Sequence, residues 1–447
     1  MAGKYDVIIV GGGPAGIFAA LEITRQPGIR VLLVEKGEDI DRRSNLVCGL
    51  GGAGAYSDGK LTLSPHVGGN LGEYLGEDDT RLLIEYVDKI YLNYGAPQRL
   101  YGTGDEIEGI GRRASRAGLR LIPVPLRHMG TERCRSVLRG MRDELMPKLD
   151  LKTSTPAAFV NVEGGRVRGI ETAGGEKYEC DYLVLAPGRE GADWLLTQAE
   201  LLGLTVHNNP VDVGVRLEVP AAVMEDLTGV LYEAKLEFFS RRFDDRIRTF
   251  CMCPAGEVTT EYTGGVEPIV TVNGHSHSDY KSDNTNFALL VSTDFTEPFR
   301  EPIAYGRYLA RLANILGGGV LVQRLEDLME GRRSTERRMQ RGIVLPTLRE
   351  ATPGDLSFVL PYRHLTGILE MIQALDKLAP GVADRHTLLY GIEVKFYSFR
   401  PQLSAVLETE VGNIFMAGDG AGVSRSLVQA SASGVVAARE ILKRIGG

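Results

Sequence analysis

The stretch "YDVIIVGGGPAGIFAALEI", Tyr5–Ile23, decides how this chain is read. Val7–Val10 is a short run of β-branched residues, the composition of a strand buried on both faces. Gly11, Gly13 and Gly16 follow at the G-x-G-x-x-G spacing, with Pro14 and Ala15 leading into a helix. In a dinucleotide-binding turn the three glycines do different things. Gly11 permits the sharp bend, Gly13 lets backbone approach a pyrophosphate, and Gly16 lets helix and strand pack closely. The helix N-terminus then offers unpaired N–H groups and a positive dipole end to phosphate oxygens. A second apolar run, Val31–Val34, ends at Glu35, 19 residues beyond Gly16. An acidic side chain there accepts hydrogen bonds from an adenosine ribose and disfavours a 2′-phosphate, which leaves FAD or NAD. Glu35 and its neighbour Lys36 therefore join Gly11, Gly13, Pro14, Ala15 and Gly16 as expected cofactor residues.

Three further stretches favour FAD. "YLVLAPG", Tyr182–Gly188, is an apolar strand ending in a small-residue turn that contains Ala186 and Gly188. It follows the alternating, Gly-Gly-punctuated segment 159–181, which reads as a hairpin. "NIFMAGDGAG" reads as a strand Ile414–Ala417, a turn Gly418–Asp419, and then a helix from about Ser424 to Arg444. The Asp419 carboxylate can accept from a ribityl hydroxyl, and a helix N-terminus behind it can stabilise negative charge on a reduced flavin. Ala430, Ser431, Ala432 and Gly434 would let that helix lie tightly on the N-terminal sheet, with Gln429 counted among the residues at the cofactor. "GLGGAGAYSDGKLTL", Gly49–Leu63, is a Gly-rich loop placed to wrap a pyrophosphate, with Gly52, Asp58 and Lys60 as contacts.

The chain resembles the FAD-dependent dehydrogenases of bacteria and archaea, distant relatives of p-hydroxybenzoate hydroxylase and geranylgeranyl reductase. The stretches carrying the resemblance are "GGGPAG" (11–16), "GGAGAYSDGKL" (51–61), "HMGTE" (128–132), "TFCMCPAGEV" (249–258), "VNGHS" (272–276), "YGIEVKFYS" (390–398) and "GDGAGVSRSLVQASASG" (418–434). Ser426 departs from the family pattern, where Gly is usual. The resemblance implies an α/β chain: a three-segment, glutathione-reductase-like Rossmann-type FAD-binding domain with an inserted α+β substrate domain. The expected division is 1–70, 150–215 and 385–447 for FAD binding, 71–149 as a helical insertion, and 216–384 for substrate.

The 447 residues carry a net charge of −7, which speaks against a nucleic-acid-binding surface as the main function. Five cysteines are few, odd in number and scattered, unlike a secreted disulfide framework. No stretch reads as a signal peptide or a membrane span, so a cytoplasmic protein without an integral span is expected. A second dinucleotide motif is missing: "GTGDEIEGIG" (102–111) follows no strand, and "ILGGGVLV" (315–322) has the wrong spacing. Reduction or oxidation of the flavin would then involve a small-molecule substrate and, in one version, an external electron donor or acceptor.

"GIEVKFYSFRP" puts Glu393, Lys395 and Tyr397 on one face of a strand, expected as the catalytic face where a proton accompanies hydride transfer. Arg400 is placed to bind a substrate carboxylate. Cys251 and Cys253 would point the same way on a strand, which suits packing more than redox work, and no metal site is expected. "EGRRSTERRMQR" (330–341) reads as a solvated helix, and Thr131 as the N-cap of an amphipathic helix 131–149. The expected function is hydride exchange between flavin N5 and an organic substrate, by C=C reduction or dehydrogenation. The alternatives are an FAD-dependent monooxygenase and a non-catalytic FAD-binding or regulatory protein.

Overall fold

A computed structural model describes residues 3–45, 48–57, 59–207, 211–262, 268–276, 280–293, 301–396 and 399–446, and the backbone of Thr263. They form two compact units. The first gathers 1–99, 126–209 and 398–447, and the second 100–125 and 210–397.

The first unit is built on a parallel sheet. Asp150–Lys152, Val31–Val34, Lys4–Val10 and Lys177–Leu185 lie side by side in that order. The register sets Val7 beside Val31 on one side and beside Tyr182 on the other. Lys177–Leu185 changes partner along its length. Its first residues pair antiparallel with Arg166–Thr172, and its last three pair parallel with Ile414–Met416. The expected hairpin is thus Ala157–Glu163 with Arg166–Thr172, hydrogen-bonded onto that strand. Ile8, Ile9, Leu32 and Leu33 are essentially inaccessible to water, each contributing roughly 1.5–3 kcal/mol by burial. This is the reason the strands read as unbroken apolar runs rather than alternating ones. The fold is α/β, with the Rossmann-type unit expected from the turn.

Helices Pro14–Ile23 and Leu427–Gly446 cover the sheet and pack on each other through small residues. A methyl added at Gly434 would stand 2.0 Å from the Ala15 carbonyl oxygen, so only glycine permits this approach. The C-terminal helix starts at Leu427, not Ser424, because residues 424–426 are committed elsewhere. The Arg425 and Ser426 N–H groups both donate to the Gly68 carbonyl, and Ser424 forms a bridge with Gly69. Helix Thr131–Leu145 is capped by Gly130 at φ 75°, with Thr131 as its first helical residue. The Thr131 hydroxyl donates instead to the Ser57 carbonyl, 3.1 Å away.

The second unit holds an eight-stranded sheet. At its centre Val211–Pro220 pairs antiparallel with Asn284–Thr293 and with Leu388–Lys395. One face carries Val213, Val215 and Leu217 into an apolar core shared with helices Ala221–Leu231, Pro302–Gly317 and Tyr362–Leu378. Strand Leu388–Lys395 belongs to this sheet, whereas the division expected from sequence gives everything from 385 onward to FAD binding. Its ladder to Val211–Pro220 is the physical reason. The 71–149 segment is likewise divided: 100–125 fall in this unit and the remainder in the first.

Two local expectations differ here. The basic stretch is helical only over Glu336–Met339, because buried Asp327 gathers Arg332 and Ser334 at 2.8 Å each. Cys251 has φ 44°, and the register of its strand shifts between Phe250 and Cys253. The expected same-face alternation of Cys251 and Cys253 is therefore broken by a bulge. Neither is in a disulfide among the described residues.

Candidate cofactor site

Gly11, Gly13, Glu35, Gly188 and Asp419 stand at the carboxyl ends of parallel strands of the first unit, where ligands bind in open α/β sheets. Gly11 has φ 103°, and a methyl on it would sit 2.1 Å from the Ala186 carbonyl oxygen. A methyl on Gly16 would sit 1.9 Å from the Gly11 oxygen. Gly13 is different: the nearest atom to its missing methyl is the Gly52 Cα at 3.9 Å, so this face of the turn is open. Gly13 caps helix Pro14–Ile23 without a side-chain hydrogen bond, and Pro14 stands in its first positions. The first-turn N–H groups thus have no capping side chain, as an anion-binding helix terminus requires.

Glu35, 7% exposed, ties three loops together. One carboxylate oxygen accepts from the Gly12 N–H at 2.8 Å, the other from Gly37 at 2.8 Å and Gly49 at 3.2 Å. Cys48 Sγ lies a further 4.0 Å from the oxygen shared by Gly37 and Gly49, whereas Oε2 accepts only from Gly12 among the described residues, so Oε2 can still receive a ribose hydroxyl. Lys36 reaches Glu190, with Nζ 3.5 Å from its carboxylate. The Gly-rich loop is held by Arg43, a residue that no sequence motif singles out. Its guanidinium donates to the carbonyls of Asn45, Gly49, Leu50 and Gly52 at 2.8–3.2 Å and lies 5.0 Å from the centre of the Tyr56 ring. Burial pulls the Arg43 pKa down, with Tyr56 and Glu35 opposing. Its sequence signal is faint, the second of an Arg42–Arg43 pair, six residues before Gly49.

The far wall comes from the C-terminal segment. Gly418 (φ 81°) and Asp419 open a short 3-10 turn, and the Gly418 N–H donates to Ser433 Oγ at 2.9 Å. Ala15, Ala186, Ala417 and Ala430 form a small buried cluster beneath these turns. Asp419 is engaged by Arg189, whose Nε and Nη2 stand 3.1 and 2.9 Å from the same oxygen, Oδ2. Arg189 is a second residue that the motifs do not announce, though it follows Gly188 directly. Gln429, expected at the cofactor, is fully buried and hydrogen-bonded to protein groups. Its amide donates to the carbonyls of Ser64, Pro65 and Val67 and accepts from the Leu71 N–H, pinning the 64–71 loop. Lys60 lies in a short strand beside His128. Asp58 and Tyr397 lie outside the described residues.

The remaining expected residues are engaged with protein groups. Arg400 donates from Nε to Tyr74 Oη at 2.9 Å and pairs with Glu73 at 2.6 Å. In the second unit Glu393 is fully buried, its carboxylate bound bidentately by Arg216 Nε and Nη2 at 2.8 and 2.9 Å. Lys395 Nζ lies 3.0 Å from Glu261 and 3.4 Å from Glu393. Burial would lower the Lys395 pKa, but Glu261 and Glu393 outweigh it and raise it. Among the described residues no cluster of three metal-ligating side chains occurs, and no helix is long and apolar enough to cross a membrane.

An open Gly13 face, an acidic end to the second strand and a closing Gly-Asp turn define a dinucleotide-binding flavoprotein. Residues 6–66 match the family model described as "FAD binding domain", and residues 210–396 match "FAD-dependent protein, C-terminal domain-like". FAD is the cofactor of this chain, as the resemblance in the sequence implied. A relative from Clostridium beijerinckii, an uncharacterized protein, is 28% identical over 492 residues, covering 99% of this chain and 81% of its own length. Among solved structures, glycine oxidase from Bacillus cereus is 13% identical over 99% of this chain and 96% of its own, with a TM-score of 0.41. L-proline dehydrogenase from P. horikoshii is 11% identical over 99% and 95%, with a TM-score of 0.44. A geranylgeranyl bacteriochlorophyll reductase-like protein from Thermoplasma acidophilum is 12% identical over 100% and 80%, with a TM-score of 0.41. At these scores the three likenesses bear on neither fold nor function.

Proposed function

We propose that this FAD-dependent protein is an oxidoreductase acting on a small organic substrate, by dehydrogenation or by C=C reduction. When bound, the flavin supplies the site that takes up or releases hydride. The reading rests on one observation: Gly13, Glu35, Gly188 and Asp419 all stand at the carboxyl ends of adjoining strands in the first unit. The first-turn N–H groups behind Gly13 receive the pyrophosphate, Glu35 accepts from the adenosine ribose, and Asp419 accepts from the ribityl chain. Each role uses hydrogen-bonding capacity left over from the contacts described above.

Glu393 and Lys395 enter this reading as fixed charges on the substrate domain. Both Glu393 oxygens are taken by Arg216, and an ammonium held between Glu261 and Glu393 has its pKa raised and keeps its proton at neutral pH. Both are then read as charges that hold the second unit together rather than as groups of the reaction. The test begins with the purified full-length chain loaded with FAD. It should be yellow, and anaerobic screening of small organic reductants and acceptors should find compounds that bleach or restore the flavin absorbance. Asp419→Ala should release FAD. Retention of FAD at wild-type affinity by that variant, or a chain that stays colourless after incubation with FAD, would refute the assignment.

A further inference from the structure

We propose that Arg189 is a positioning residue of the cofactor site, holding the Asp419 carboxylate in place and balancing its charge against the flavin. The inference rests on the reading of Asp419 as the ribityl contact and extends it to a residue that reading does not require.

Two turns leave neighbouring parallel strands at the same edge of the sheet. Lys177–Leu185 leads into Gly188 (φ 67°) and the 3-10 turn Arg189–Gly191. Ile414–Met416 leads into Gly418 (φ 81°) and the 3-10 turn Asp419–Ala421. The turns are in contact: a methyl on Gly420 would fall 2.4 Å from the Gly188 carbonyl oxygen. Backbone packing of this closeness puts Arg189 and Asp419 within reach of each other, and it tolerates glycine alone.

The hydrogen-bond geometry is unusual for an arginine and a carboxylate. The common arrangement places two nitrogens on two oxygens. Here Nε and Nη2 both converge on Oδ2, and Oδ1 accepts nothing among the described residues. One oxygen is therefore anchored and the other is left for a hydroxyl of the cofactor. The Asp419 side chain is 26% exposed and that of Arg189 52%, so the pair sits at the mouth of the site rather than inside the core.

Charge gives Arg189 a second consequence. The cofactor carries a pyrophosphate, and reduction adds negative charge to its ring system. An unpaired carboxylate at Asp419 would oppose both, and more strongly in the reduced state. The guanidinium cancels that opposition. A half-exposed pair has a modest effect, so Arg189→Ala should weaken oxidised FAD about three- to tenfold and reduced FAD by a further factor of similar size. A threefold difference between the two states lowers a two-electron potential by about 14 mV, and a tenfold difference by about 30 mV.

The experiment measures FAD affinity and midpoint potential on the full chain for wild type, Arg189→Ala, Arg189→Lys and Asp419→Ala. Arg189→Ala should bind FAD more weakly and shift to a more negative potential. Arg189→Lys keeps the charge without the two-nitrogen hold, so it should lose affinity while its potential stays near wild type. It also reports if the alanine variant fails to fold. A structural role for Arg189 would not produce that split. An Arg189→Ala protein matching wild type in both quantities, while Asp419→Ala releases FAD, would overturn the proposal and leave the assignment of Asp419 standing. Equal potentials for the Lys and Ala variants would overturn the charge argument. Wild-type affinity in Asp419→Ala would instead remove the underlying reading.

Discussion

Gly434→Ala sets two effects against each other with opposite signs. Alanine is the better helix former, by about 1 kcal/mol, and Gly434 lies inside helix Leu427–Gly446. Propensity alone therefore predicts a more stable protein. The structure predicts the reverse. The added methyl would stand 2.0 Å from the Ala15 carbonyl oxygen, 2.9 Å from its carbonyl carbon and 3.1 Å from the Ala19 nitrogen. All three are backbone atoms of the facing helix, so no side chain can swing aside. A carbon–oxygen contact settles near 3.3 Å or beyond, and the helices would have to part by about 1 Å. Overpacking of this kind costs about 1–3 kcal/mol, occasionally more, and a backbone clash belongs at the upper end. The net loss is then about 2 kcal/mol, or roughly 4–8 °C in Tm for a unit of this size. Thermal unfolding by calorimetry at fixed FAD concentration measures it. Ala15 is also part of the dinucleotide turn, so FAD affinity should fall in the same variant. Gly109 supplies the control: it is helical and a methyl there meets nothing within 4 Å, so Gly109→Ala should gain about 1 kcal/mol. A Gly434→Ala protein melting at or above wild type with unchanged FAD affinity would refute the packing argument.

Two further outcomes follow from buried charge. Glu393→Ala strands the Arg216 guanidinium in a site with no exposure and should cost about 3–5 kcal/mol in denaturant titration, whereas replacing both with Leu and Met should recover most of it. Near-normal stability in the single variant would mean that the pair is not what compensates Arg216. His364 is buried, with its ring Nε2 2.8 Å from the Thr293 hydroxyl, and burial lowers its pKa to about 4. The unfolded chain then binds the extra proton between pH 6.5 and 4, so stability is full above pH 6.5 and falls by about 3 kcal/mol as the pH drops to 4. His364→Gln should flatten that part of the urea-midpoint profile, and an unchanged slope would show that other groups carry it.

The parts of the fold legible in the sequence are those whose physics is local. The Gly11, Gly13 and Gly16 turn follows from what a missing side chain permits, and Glu35 from its distance along the chain. What stayed hidden depends on register between distant segments. Glu393 and Lys395 share a face as alternation predicts, but no spacing reveals their partners: Arg216 comes from the paired strand Val211–Pro220, and Glu261 from a strand of a separate two-stranded sheet. Arg189 and Asp419 are 230 positions apart. Thr131 has the chemistry of a cap, yet the backbone of Gly130 takes that place at φ 75°. The basic stretch 330–341 reads as solvated because nothing in its own composition announces a buried Asp327.

The hold of Gln429 on the 64–71 loop has a consequence for the order of events during synthesis. The donor and its acceptors are separated by more than 360 positions, and Gly434 closes against Ala15 across a similar span. On the ribosome, the Gly-rich turn and the loop meant to wrap the cofactor emerge early, with no far wall to face. Domains generally fold as units once their chain is available, and this one lacks a strand and a helix until residues 414–446 have been made. FAD should therefore load only after residues 414–446 have been made. A ribosome-bound chain halted before residue 414 would leave the apolar edge Leu183–Leu185 without its Ile414–Met416 neighbour and should hold no FAD.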